Sequence, residues 1–107
     1  MDRGERVPQR DIAFKWNQDK AKLNLRWHRV SFEEAETVFD DPHGFIISDE
    51  DHSDDETREI VIGYSSKNRL LFVSFTVRDE IIRIISARLA TPREMEEYEE
   101  GIRSDPS

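Results

Sequence analysis

Four arginines stand where apolar side chains would be simpler. Arg69 and Arg78 bracket Leu70-Leu-Phe-Val-Ser-Phe-Thr-Val77, and Arg83 and Arg88 interrupt Ile81-Ile-Arg-Ile-Ile-Ser-Ala-Arg-Leu89. β-Branched residues at that density fit a strand buried on at least one face. A guanidinium on such a strand needs an anion, because an unpaired buried charge is costly. Its planar fork matches carboxylate and phosphate alike. The chemistry is therefore anion recognition or an internal tie, with Glu34, Asp40 or Glu94 as the carboxylates that Arg83 or Arg88 would meet. Thr76 and Arg78 add two polar groups to one side of their strand. His28 is the candidate for proton transfer, since imidazole titrates near ~6.5. It also stands near the end of a helical pattern, where a histidine serves as a plain C-terminal cap.

The elements that must position these groups follow from periodicity. Ile12–Trp16 alternates like a short strand. Asn17 caps a helix reaching about Trp27, with Ala21, Leu25 and His28 on one face and Lys20 and Asn24 one residue behind it. Ser31-Phe-Glu-Glu34 reads as a capping box, and Phe32, Ala35, Val38 and Phe39 fall at helical spacing toward a core, ended by Asp41-Pro42. Phe45–Ile47, Ile60–Tyr64, Arg69–Arg78 and Ile81–Ala90 read as strands. Turns fall at Ser65–Asn68, where Asn68 tolerates a positive φ, and at Asp79-Glu80. Leu71, Val73, Phe75 and Val77 form the apolar face of the longest strand. Thr91, Pro92 and Glu94 open a last helix running to about Gly101, with Met95, Tyr98 and Ile102 as its apolar stripe. Strict alternation puts Arg83 with Ile81 and Ile85, and Arg88 with Ile82 and Ile84. The two arginines then lie on opposite faces, and share a site only if a bulge or the strand end intervenes.

These elements predict an α+β domain: a small antiparallel sheet with two N-terminal helices and one C-terminal helix. The domain spans residues 12–102, with polar tails at 1–11 and 103–107. The 107 residues suit one domain. The net charge of −8 argues against a nucleic-acid binder in general. Charge location matters more than the sum, and bases crowd Lys15–Arg29 and Arg58–Arg88, leaving room for a local basic site on an acidic body. There is no cysteine, so no disulfide and no thiolate metal site. No apolar run nears the ~18 residues of a membrane span. Met1-Asp-Arg-Gly-Glu-Arg6 lacks a signal peptide's apolar region, so a cytoplasmic location is expected and no membrane contact. The acidic loop around His52 lacks the glycine and spacing of a calcium loop and reads as a solvated turn. No metal and no cofactor is expected.

The spaced motifs Phe14-Lys-Trp16, Lys20, Asn24 and His28, then Val30-Ser-Phe-Glu-Glu-Ala35, Val38-Phe-Asp-Asp-Pro42, Asp49, His52-Ser53, Glu56-Thr-Arg58, Ile62-Gly63, Arg69-Leu70, Arg83-Ile-Ile-Ser-Ala-Arg88, Ala90-Thr91, Glu94 and Tyr98 resemble the BrnT family. The resemblance covers about Ile12 to Tyr98. It implies a RelE-like fold and the ribonuclease toxin of a bacterial type II toxin–antitoxin system, which cleaves RNA and stops translation. It implies a BrnA-like ribbon-helix-helix antitoxin as partner, with DNA touched only through that antitoxin, and a homodimer within the toxin–antitoxin complex. Metal-independent RNA cleavage needs activation of a 2′-hydroxyl, charge stabilisation on the phosphate and a proton for the leaving oxygen. On that basis His28 is expected as acid/base, Arg69, Arg78, Arg83 and Arg88 as phosphate or transition-state cations, and Lys20, Asn24 and Thr76 as RNA contacts. Where the family carries Lys-His-Gly, this chain has Trp27-His28-Arg29, and Asn17-Gln18 replaces the usual Asp-Pro. The alternative is a catalytically weak or inactive homologue that serves as a protein-binding module for a DNA-binding antitoxin.

Overall fold

The structure is a computed structural model that describes residues 12–49 and 57–104. The expected N-terminal tail and the loop residue His52 lie outside the described residues. In chain order the elements are β1 (Ala13–Lys15), α1 (Gln18–His28), α2 (Phe32–Thr37) with a 3₁₀ turn at Val38–Asp40, β2 (Phe45–Ser48), β3 (Arg58–Tyr64), β4 (Leu70–Arg78), β5 (Ile81–Leu89) and α3 (Pro92–Ser104). The five strands form one sheet in the order β1-β5-β4-β3-β2. It is antiparallel except at one edge, where β1 runs parallel to β5. The helix α3 continues through Arg103 and Ser104, past the boundary expected from the sequence.

Local chemistry explains where the helices begin. The Asn17 side chain accepts the Lys20 amide at 3.0 Å, and Ser31 Oγ accepts the Glu34 amide at 3.0 Å. At α3 the reciprocal box is complete: Thr91 Oγ1 accepts the Glu94 amide at 3.1 Å and Glu94 Oε1 accepts the Thr91 amide at 2.9 Å. The box expected at Ser31 is only half built, because the Glu34 carboxylate turns inward instead, to Ser65 and Arg69.

The two faces of the sheet carry different loads. On one, α2 and the 3₁₀ turn lay Phe32, Ala35 and Val38 over Val61, Leu71, Val73, Phe75, Ile82, Ile84 and Ala87, all buried. Phe39 wedges edge-on between Phe14 and Phe75, with centroids 5.2 and 5.1 Å away. Val77, expected in this core, is 51 % exposed, because β4 outruns the helices near its end. On the other face α3 covers only one end, where Tyr98 packs with Ile60, Ile62 and Leu70. Tyr98 Oη donates to Asp41 Oδ2 at 2.8 Å, and the same oxygen accepts the Tyr64 amide at 2.7 Å. Gly63 is needed at this junction: a Cβ there would stand 3.1 Å from both Asp41 Oδ2 and Val38 Cγ1.

Candidate functional site

Register decides which side chains share a face. Along β4 and β5, Val73 faces Ala87 and Ser74 faces Ser86, but Phe75 faces Ile84. Ile85 is thus an extra residue, a bulge that reverses the alternation midway along β5. The expectation that Arg83 and Arg88 oppose each other is corrected by this one residue. Arg83 pairs with Thr76 and Arg88 with Phe72, and both lie on the face that α3 only partly covers. Arg78, paired with Ile81, lies on the same face by alternation.

The end of this face that α3 leaves open has a cationic row. Lys15 on β1 pairs with Arg83 on β5, Arg83 with Thr76 on β4, and Thr76 with Arg58 on β3. Two cations directly opposite each other destabilise a sheet unless an anion lies between them. Neither Lys15 nor Arg83 meets a carboxylate among the described residues. Both are exposed and line a shallow depression with Phe14, Trp16 and Gln18. On the same face, Ser74 and Thr76 are buried, at 6 % and 4 % exposure, and their hydroxyl oxygens have no hydrogen-bond partner among the described residues. Each such orphan costs about 1–3 kcal/mol. Lys15 and Ser74 were not singled out from the sequence. Lys15 carried a signal in the alternation of Ala13-Phe-Lys-Trp16, but its strand partner lies far along the chain.

Arg88 and Arg69 are tied into the fold. Arg88 makes a two-pronged bond to Glu94, at 2.9 and 3.0 Å, and its guanidinium stacks 3.8 Å over the Phe72 ring. It ties the start of α3 to the sheet. Burial raises the Glu94 carboxyl, but the bonds from Arg88 and Thr91 outweigh it and hold the group below its ordinary value. Arg69 lies off this face: it clamps Glu34 through Nε at 2.9 Å and through a second, very short contact, and donates to the Arg29 carbonyl at 3.0 Å. That bond to Arg69 is the main cause holding the buried Glu34 carboxyl low. The internal tie foreseen with Glu94 therefore goes to Arg88, and the one foreseen with Glu34 goes to Arg69.

Beside the bulge, Lys20, Leu23, Asn24, Trp27, His28 and Ile85 line a second shallow groove between α1 and the outer edge of β5. The structure thus gathers Lys20, Asn24 and His28, while Arg69 lies outside the groove lining, at the end of α1, through its bond to the Arg29 carbonyl. Lys20 and His28 are exposed, and Trp27 is 72 % exposed. Asn24 differs from expectation. It is the one buried residue of α1, and its amide is fully engaged: Nδ2 donates to the Val30 and Ala87 carbonyls at 2.9 and 2.8 Å, and Oδ1 accepts the Ala87 amide at 3.1 Å. These three bonds give Asn24, expected as an RNA contact, a structural role as well. The inward face of α1 is shifted accordingly, leaving Leu25 50 % exposed.

Among the described residues no helix is long and apolar enough to cross a membrane. Comparison with known proteins fixes the family. The family model described as "Ribonuclease toxin, BrnT, of type II toxin-antitoxin system" matches residues 16–94. The crystal structure of the Brucella abortus ribonuclease toxin BrnT shares the fold, with a TM-score of 0.57 at 20% identity, covering 75% of this chain and 97% of that one. Among curated proteins nothing matches. The match spans β2 to β5, both N-terminal helices and the start of α3, leaving β1 just outside it, and the chain belongs to the BrnT family of ribonuclease toxins of type II toxin–antitoxin systems.

Proposed function

We propose that this chain cleaves RNA without a metal ion, arrests translation by doing so, and is neutralised by a BrnA-like antitoxin. The observation that carries the reading is the Lys15–Arg83 pair. Two like charges set side by side, next to Thr76 and with no carboxylate engaged among the described residues, are what a phosphodiester would reward. Arg83 stabilises charge on the phosphate in flight, and Arg78 on the same face adds to the field. His28 and Lys20, exposed in the groove beyond the bulge, supply proton transfer and backbone contact for RNA passing along the edge of β5. The domain that does this is residues 12–102, acting in the cytoplasm, with DNA reached only through the antitoxin and a homodimer formed within the toxin–antitoxin complex.

The test is cleavage of a single-stranded RNA by purified protein in excess chelator, with Arg83→Ala and His28→Ala as controls. Cleavage that persists in chelator and is lost in both variants supports the reading. Intact RNA with the native protein refutes it. A second reading, a module that only docks its antitoxin, is favoured by one observation: Arg69, Arg88 and Asn24 are all spent on internal contacts. It predicts harmless expression and intact RNA.

A further inference from the structure

Ser74 and Thr76 present two hydroxyls on one face of β4, two residues apart, each more than nine-tenths buried and neither hydrogen-bonded among the described residues. A fold that needed only packing would place Ala or Val here, since Val has the shape of Thr and suits a strand better. Two adjacent orphans are harder to dismiss than one, because satisfied pairing is the rule for buried polar groups. Their neighbours are informative. Thr76 lies between Arg83 and Arg58, and Ser74 lies between Ser86 and Ile60. Beside Thr76, the Arg83 side chain holds no partner among the described residues.

We propose that the Ser74 and Thr76 hydroxyls form a recessed receptor for the non-bridging oxygens of an RNA phosphate. The phosphate is drawn in by Lys15 and Arg83; the Arg83 side chain lifts onto it, and the two hydroxyls donate from below. This rests on the reading of the chain as an RNA-cleaving protein and adds residues that hold the phosphate in place. A hydroxyl carries no charge, so it contributes hydrogen bonds without counterion release.

The experiment compares Thr76→Val, Ser74→Ala and Thr76→Ser with the native chain in three measurements: thermal unfolding, cleavage rate, and affinity for a 2′-O-methyl RNA oligonucleotide at graded salt. Thr76→Val and Ser74→Ala should melt at or above the native temperature, yet cleave and bind about tenfold or more weakly. The slope of affinity against salt should stay native in both, while Arg83→Gln lowers it. Thr76→Ser, which keeps the hydroxyl and loses the methyl, should retain affinity. If the native chain cleaves RNA and Thr76→Val does so equally, the hydroxyl receptor is refuted and the ribonuclease reading stands. If the native chain neither binds nor cleaves RNA, both fall.

Discussion

The Asn24 carboxamide stands beside Ala87 in the place of a missing strand. It donates to the Ala87 carbonyl at 2.8 Å and accepts the Ala87 amide at 3.1 Å, the two bonds a neighbouring strand residue would make. The edge strand β1 covers β5 only at Ile81–Arg83. Beyond the bulge no described strand pairs with this edge of β5, and Asn24, fixed by its third bond to Val30, closes it. Asn24→Leu should therefore cost roughly 2–4 kcal/mol, because three buried backbone groups lose partners. Asn24→Asp should cost as much at pH 7, since a carboxylate still accepts from Ala87 but opposes both carbonyls. Urea unfolding of the two variants checks this. A change below about 0.5 kcal/mol in both would show that water replaces the amide.

Arg83 and Arg88 share a face but have different work. Arg83→Ala should lower the cleavage rate by about 10²–10³, the usual loss for one charge-stabilising donor, and leave stability unchanged or slightly higher as repulsion with Lys15 is relieved. Arg88→Ala should lower stability by roughly 1–3 kcal/mol, through the lost Glu94 bonds and the bared Phe72 ring. Its effect on rate should follow the fraction folded. Melting curves and initial rates on both variants separate these roles, and identical profiles would contradict the assignment.

Local chemistry made most of the elements readable. Asn17, Ser31 and Thr91 each cap the helix expected of them, and Asn68 takes the positive φ, 62°, that its turn requires. Phe32, Ala35 and Val38 face the core as their spacing demanded. What stayed hidden depends on partners far away in the chain. Ile85 is apolar like its neighbours, so nothing in Ile84-Ile85 marks where alternation slips. Asn24 has its purpose only because β5 lacks a neighbour at Ala87, 63 residues later. The parallel pairing of β1 with β5, which sets Lys15 against Arg83, leaves no trace in a three-residue strand. The family motifs named Arg83 without showing that it stands beside Lys15.

The Glu34–Arg69 clamp sets a direction for acid sensitivity. The Arg69 bond lowers the Glu34 carboxyl below its ordinary value of 4.5. For Asp41, burial pushes the carboxyl upward, but hydrogen bonds from Tyr64, His43 and Tyr98 prevail and hold it below 3.8. A carboxyl depressed on folding contributes stability that is complete above its unfolded value and is lost as pH falls through its folded value. Stability should therefore decline below about pH 4.5, with Glu34, Asp41 and Glu94 acting in the same sense. Glu34→Gln should cost roughly 1–3 kcal/mol at pH 7, a range kept modest because Arg69 is partly solvated. The gap between variant and native should then narrow as pH falls from 5 toward 3. Urea midpoints across that range measure it, and a gap that stays constant would remove Glu34 from the account.

The β4–β5 turn holds its two residues in an unfavourable backbone region. Asp79 and Glu80 have φ of 54° and 66°, between strand ends paired at Arg78 and Ile81. Positive φ at both central residues is the two-residue hairpin turn whose twist matches the flanking strands, and Asn-Gly is its preferred sequence. Glu80 lacks the short polar side chain that eases this conformation for Asp79, and a left-handed non-glycine residue costs about 1–2 kcal/mol. Glycine is also freer in the unfolded chain, which returns roughly 0.4–1 kcal/mol of that. Glu80→Gly should thus raise stability by about 0.5–1 kcal/mol, and Asp79→Asn with Glu80→Gly somewhat more. Arg83 lies a few residues along β5 from this turn, so the double variant also probes the site. A higher unfolding midpoint with an unchanged cleavage rate is the expected pair of results. A higher midpoint with slower cleavage would mean that the strained turn helps to set Arg83 against the phosphate.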